Sequence, residues 1–451
     1  RAEFSQTFGH VLLHRGALEA AEQRFRELEE LGRAAERGDW LARGLEHRGR
    51  VAWYRGRLDE ARTLFEQGLE RVPKAEEQIA ADLHNDLGIV FYYRGDPDAA
   101  FSHHDLALRL RERLDDRLGL AKSHSNLGNL LLDFRDDLEG AEERYRRALE
   151  LAREIGAREM ITSTLNNLGG VATERGKWQE AMNWFREATR LQEEIGWSFL
   201  GYVTLQNQIL CEIALGRIAD ALRHLRECLN RGDAFLEPVN RVRTRFLFFD
   251  AYLTALADEQ AGTWLDDARR LAEELEVGEI EDELALREGR RLAARGDWRG
   301  AEAAFGGAEA AAAKLTHPPF ETLARAQRSR AAARAGDQPP EHPVVESARR
   351  PPLAALIRYL NADAEREPSP EVAAELERAG EEAAGLGDVS LERAAFERAG
   401  DVWRDLGNSI REEKALARAA AALEALSAGL PEDLRAGFLA HPRNESLHPR
   451  S

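Results

Sequence analysis

Cysteine is almost missing from this chain. Cys211 and Cys228 are the only two among 451 residues, which excludes a disulfide scaffold and fits a reducing, cytoplasmic compartment. Proline is scarce where it would break helices: before residue 318 only Pro73, Pro97 and Pro238 occur. β-branched residues are sparse, so little argues for a sheet. No apolar run approaches the roughly 18 residues that a membrane span needs. Positive charge is in deficit, 63 Lys and Arg against 81 Asp and Glu, a formal net charge of -18. Such a field opposes nucleic acid and anionic membrane alike. The chain opens Arg1-Ala2-Glu3-Phe4, with neither Met nor a signal h-region, and reads as part of a longer protein.

Chemical motifs are lacking too. The only Gly-Lys dipeptide, Gly176-Lys177, is followed by Trp178, and Val171 stands where a phosphate loop needs its first Gly. There is no His-Glu-x-x-His, no Cys-x-x-Cys and no Gly-x-Ser-x-Gly. The twelve histidines are scattered, and the adjacent pair His103-His104 points two ways on a helix. His84 and His124 fall at equivalent positions, as surface or inter-repeat polar groups. Acidic clusters such as Glu142-Glu143 read as solvated helix faces. The sequence therefore predicts no catalytic residue, no metal and no cofactor.

What is present is a period. Asn126-Leu127-Gly128 recurs 41 residues on as Asn167-Leu168-Gly169, and Asp86-Leu87-Gly88 lies 40 residues before it. Gly9, Gly49 and Gly289 continue the cadence. Each unit carries a small residue in a first helix, a Gly-containing turn, then Ala, an aromatic and a small residue in a second. Gly49, Ala52, Gly56, Ala61, Phe65, Gly68 is one instance; Gly169, Ala172, Gly176, Ala181, Phe185, Ala188 is another. Ala, Leu, Arg and Glu dominate, all good helix formers. A solenoid in which each unit packs only on its neighbours allows such a length without one large core.

These runs resemble the tetratricopeptide repeat, in its long variety of about 40 residues. Ser125-Asn126-Leu127-Gly128-Asn129 is similar to runs in kinesin light chains, in animal G-protein-regulator scaffolds and in sensor domains of bacterial signalling ATPases and kinases. The resemblance implies an all-α, right-handed superhelix of antiparallel helix pairs, with a divergent C-terminal helical cap. The expected organisation is a superhelix over residues 1–337, with about eight repeats degenerate near 241–276. A Pro-rich linker or long loop at 338–352, a divergent cap at 353–429 and a tail at 430–451 would follow. Pro339-Pro340, Pro343 and Pro351-Pro352 forbid continuous helix there.

If the family geometry holds, the residue two before the central Gly faces the concave side. Those residues are Asp86, Asn126, Asn167 and Asn207, a polar ladder with one rung per repeat. A side-chain amide both donates and accepts, so it can hold both groups of a peptide bond. Inner helices about 10 Å apart would meet an extended strand at roughly every third residue. The same amides could instead bond between helices and fix the repeat angle. Lys122, one turn before Asn126, forms a Lys-x-x-x-Asn spacing that resembles part of the carboxylate clamp of peptide-binding tetratricopeptide domains. Trp53-Tyr54 and Tyr92-Tyr93 occupy equivalent places in consecutive units and read as interface anchors or as packing. His10, His14 and Arg50 would make the mouth basic; Asn129 extends the amide stretch, and Asp133 and Glu174 turn it acidic.

The reading is a non-enzymatic scaffold that binds a protein or peptide segment, or another domain of the same polypeptide. It would be the sensor or regulatory region of a larger bacterial signalling or transcription-regulatory protein. The alternative is a spacer or homo-oligomerisation module, with Phe246, Phe248 and Phe249 as contact residues if exposed.

Overall fold

The structure is a computed structural model. It describes residues 1–196, 199–232, 236–278, 280–315, 317–340, 342–343, 345 and 350–447. Among these there are twenty-two α-helices and no strand. They divide into two compact units, residues 1–171 and 172–451.

The first unit holds α1 (Ala2–His14), α2 (Leu18–Ala34), α3 (Gly38–Tyr54), α4 (Leu58–Arg71), α5 (Glu77–Tyr93), α6 (Pro97–Leu114), α7 (Arg117–Arg135) and α8 (Leu138–Glu154). α9 (Arg158–Glu174) begins in it. Each helix from α1 to α7 packs antiparallel on the next, while α1, α3, α5 and α7 also touch in sequence. The odd-numbered helices thus form one wall and the even-numbered helices the other. Local signals set the helix ends. Gly56 takes φ 73° where α3 stops, and Arg57 N donates to Ala52 O at 2.9 Å, which closes the last turn. Asp96 accepts from Ala99 N at 3.1 Å and Asp137 from Gly140 N at 2.9 Å, capping α6 and α8.

The recurrent glycine is a contact. A Cβ on Gly9 would lie 2.4 Å from the Phe25 ring, one on Gly49 2.4 Å from Phe65, and one on Gly128 2.6 Å from Tyr145. Each ring is buried against the bare backbone of its partner helix. Only the residue without a side chain lets the helices approach that closely. At Gly88 the ring is His104, 2.6 Å from where a Cβ would be. Burial, helped by Arg111 and His103, pushes the imidazole of His104 down to about 3, so the ring is neutral and acts as a hydrophobic plug.

The second unit holds α10 (Trp178–Ile195), α11 (Phe199–Ala214), α12 (Ile218–Glu227), α13 (Pro238–Thr254), α14 (Asp258–Glu274), α15 (Glu281–Ala294), α16 (Trp298–Lys314) and α17 (Pro318–Ala335). α18 (Pro351–Ala364), α19 (Pro370–Leu386), α20 (Val389–Asp405), α21 (Ser409–Ala428) and α22 (Glu432–Leu439) follow. The contact recurs as Gly289 on Phe305, Gly380 on Phe396 and Gly400 on Leu416. Repeat-like pairing therefore continues past the proline interruption. Of the interruption itself, residues 341, 344 and 346–349 lie outside the described residues. Pro343 O accepts from Asn361 Nδ2 at 2.9 Å, which ties the segment to α18.

In the degenerate repeat, Phe246, Phe248 and Phe249 are all buried, and Phe248 stacks on Trp264 with ring centroids 3.9 Å apart. They are core, so they offer no contact surface to another copy. The C-terminal helices turn back: Phe396, Ala419, Leu423 and Phe438 share one hydrophobic cluster with Tyr202, Ile209, Leu222 and Phe248. Ala219 N donates to Gly429 O at 2.8 Å across this seam. Cys211 and Cys228 are unbridged and buried. No helix among the described residues is long and apolar enough to cross a membrane.

Two outcomes check this packing. Gly49→Ala should cost about 1–3 kcal/mol by overpacking, whereas Gly170→Ala, which meets nothing within 4 Å, should be neutral or stabilise by up to about 1 kcal/mol. Urea denaturation of both variants decides, and equal effects would refute the interlock. The depressed His104 titration adds stability that is present above its unfolded value of about 6.5 and lost as pH falls toward its folded value. His104→Phe should therefore remove about 2 kcal/mol of the loss between pH 7 and pH 5, read as a shallower drop in the urea midpoint.

Candidate functional site

The odd-numbered wall of the first unit is polar and hydrogen-bonded from helix to helix. Arg43 on α3 donates to Glu46 at 2.7 Å and to Asp82 on α5 at 2.9 Å. Arg50 pairs with Glu46 at 2.7 Å and donates to Asp86 at 2.6 Å. Arg111, rising from α6, donates to Asp82 at 3.2 Å, Asn85 at 3.2 Å and Ser123 at 2.7 Å. Asn126 Nδ2 donates to Asn85 Oδ1 at 3.0 Å, and Asn167 Nδ2 to Ser125 Oγ and Asn129 Oδ1, both at 3.4 Å. Tyr145 OH secures Asn129 Oδ1 at 2.7 Å. The rungs Asp86, Asn126 and Asn167 thus bond between successive inner helices.

This framework is densely charged. Glu46 is wholly buried, and burial pushes its carboxyl up to about 7 against the pull of Arg50 and Arg43. For Asp82 burial acts upward as well, but Arg43 and Arg111 more than offset it, and the carboxyl sits below its ordinary value. The Arg50 guanidinium is consumed by two carboxylates, so the basic character expected of it at the mouth falls to other groups. Lys122 is exposed and has no ion-pair partner among the described residues. The side chain of His14 lies outside the described residues.

Two hollows open on this wall. One, about 440 Å³, is lined by Arg50, Trp53, Tyr54, Asp86, Lys122 and Asn126 among others. The other, about 210 Å³, shares Trp53, Ile89 and Asn126 with it and adds Tyr92, Tyr93, His104 and Asn129. Tyr54 and Tyr93 are 58 % and 60 % exposed and both meet Trp53, with ring centroids 4.8 and 6.0 Å from its own. Tyr92 differs: its hydroxyl donates to Asp133 and its ring meets Phe134 edge-on at 5.3 Å, so it packs on the next repeat.

Of the residues expected from the sequence, the structure gathers Arg50, Trp53, Tyr54, Asp86, Tyr92, Tyr93, Lys122, Asn126 and Asn129 at these hollows. Asn167 belongs to the hydrogen-bonded framework but lines neither. Asn207 sits on α11 in the second unit. Sequence reading missed Asn85, Ile89 and Ser125, which line the larger hollow. Their signal was available, since Ile89 and Ser125 lie one helical turn from flagged positions and Asn85 is next to Asp86. It also missed the carboxylates Glu46 and Asp82, which look like ordinary solvated charges in a chain this acidic. Among the described residues no group of three or more His, Cys, Asp or Glu could hold a metal ion.

The tetratricopeptide repeat family matches residues 79–154 and 134–194. That match spans residues 79–194, and the described residues on either side of it are helical as well. No curated protein matches the sequence. Among solved structures, the apo form of the quorum sensor NprR from B. thuringiensis superposes with a TM-score of 0.55 at 12 % identity, over 69 % of this chain and 87 % of that one. A Signal Transduction ATPase with Numerous Domains, a protein with a tetratricopeptide repeat sensor from Pyrococcus horikoshii, gives a TM-score of 0.52 at 13 % identity. That match covers 71 % of this chain and 48 % of the other.

The charged framework yields a stability test. Arg50→Met leaves Asp86 without its guanidinium and Glu46 with Arg43 alone, and should cost about 3–5 kcal/mol. Adding Asp86→Asn should recover part of that loss in a double-mutant cycle. Additive losses would show that Arg50 does not hold the two carboxylates together.

Proposed function

We propose that the odd-helix wall of the first unit binds an extended peptide segment of a protein partner, without catalysis. The observation that carries this is the larger hollow, where exposed Tyr54, unpaired Lys122 and the Asn126 amide meet over a rigid floor. Asn126 spends its Nδ2 on Asn85, and its Oδ1 takes no partner among the described residues, so the carbonyl can accept a peptide N–H. Lys122 supplies a cation for a carboxylate on the segment. Tyr54 and Tyr93 supply amphipathic area at low entropic cost. The network beneath is already paired, so little ordering is needed when a ligand arrives.

The partner in this reading is a protein or peptide, either separate or another domain of the same polypeptide, and neither nucleic acid nor membrane. The chain would serve as the sensor or regulatory region of a larger bacterial signalling protein in the cytoplasm. What supports this is the fold shared with a quorum sensor and with part of a signalling ATPase that has a tetratricopeptide repeat sensor.

Selection of peptides from a random library against the full chain provides the ligand. Tyr54→Ala with Tyr93→Ala, and separately Lys122→Ala, should each weaken a selected peptide by about tenfold or more, with helicity unchanged by circular dichroism. Selected peptides that bind both variants as tightly as the parent would remove this wall from consideration.

A further inference from the structure

The second unit contains a cavity of its own, about 600 Å³, lined by residues of α11, α13, α15, α17, α18 and α20. Arg290, Arg330, Arg334, Arg393 and Arg398 all reach it. That concentration is unusual in a chain with a formal net charge of -18.

The local balance explains why it matters. Asp363, 2 % exposed, accepts from Arg330 Nε at 2.6 Å, from Arg398 Nε at 2.9 Å and from Arg334. One carboxylate thus serves three guanidiniums, a surplus of two positive charges. Arg393 is matched by Glu397 at 2.7 Å. Arg290 and Arg287 share Asp250, and Arg287 also reaches Glu283 at 3.5 Å. Asp401, on the cavity wall, shares Arg404 with Glu412, at 2.9 and 2.7 Å, and so offsets part of a further charge. Asp388 lines the cavity while capping α20 through Leu391 N at 3.0 Å, and offsets at most one charge. Among the lining residues five arginines stand against the three carboxylates Asp388, Glu397 and Asp401, so the cavity wall is net positive.

Guanidiniums held close together repel one another, and a structural ion pair would need only one or two of them. Each guanidinium has five N–H donors. Arg334 and Arg398 each spend one on Asp363, and Arg330 adds a 3.4 Å contact to Tyr359 OH and lies over the Trp298 ring at 5.4 Å. Beside this cluster the wall is apolar, with Leu253, Leu256, Leu356 and Leu391. The volume falls within the range of small-molecule pockets.

We propose that this cavity binds a small amphipathic anion, its phosphate-monoester or carboxylate head at Arg330, Arg334 and Arg398 and its apolar body against the leucines. The anion joins Asp363 as the second counter-charge of the cluster. It uses the planar fork that suits arginine to both head groups.

The test is calorimetric titration of the full chain at fixed ionic strength with inorganic phosphate, phenyl phosphate and hexanoate. Phenyl phosphate should bind more tightly than inorganic phosphate, because it also fills the apolar end. Hexanoate binding on a par with phenyl phosphate marks a carboxylate site, and its failure marks a phosphate-monoester site. Arg334→Gln and Arg398→Gln should each weaken binding about tenfold. Glu397→Gln, which frees Arg393, should tighten it, and this variant keeps the test intact if either arginine variant does not fold. No heat with any probe at millimolar concentration, or affinity that none of the three variants changes, overturns the proposal.

Discussion

The contact between a bare glycine backbone and an aromatic ring on the partner helix is the constraint on which the rest of the structure depends. It fixes how closely two helices of a hairpin approach. Repeated at Gly9, Gly49, Gly88 and Gly128, it holds four successive hairpins of the first unit to one geometry. That regularity puts α1, α3, α5 and α7 side by side. Without it, Asn85, Asn126 and Asn167 would not fall within hydrogen-bonding reach of their neighbours 38–42 positions away. The polar wall is thus a consequence of apolar packing, with a non-directional effect setting the frame for directional bonds.

The wall divides its labour between depth and surface. Deep groups such as Glu46, Asp82, Arg43 and Arg111 satisfy one another and fix inter-helix distances. Surface groups such as Tyr54, Tyr93 and Lys122 carry few obligations within the chain. A face built this way can present contacts without paying for their stability, because the residues that hold the fold and those that meet solvent differ. Asn126 belongs to both sets, bonded through its nitrogen and open at its oxygen.

Much of this was legible in the residues. The 40-residue cadence required stacked hairpins, with a small residue in the first helix of each and an aromatic in the second, as at Gly49 and Phe65. The candidate wall residues were legible for the same reason, since one register assigns every first helix a common face. Three things were not. His104 occupies an aromatic slot, but only its burial shows that it is a neutral plug. Asp363 resembles any acidic residue on a helix until three arginines from α17 and α20 converge on it. The return of α20–α22 onto α11–α13 depends on contacts about 200 residues apart, such as Ala219 N with Gly429 O, and no periodicity encodes those.

Hydroxyl-radical footprinting of the full chain, with and without a selected peptide, tests the central claim most directly. The account predicts that Tyr54 and Tyr93 become protected while Phe4 and Ile410, exposed at 62 % and 80 %, keep their reactivity. Protection at Phe4 or Ile410 with Tyr54 and Tyr93 unchanged would contradict it.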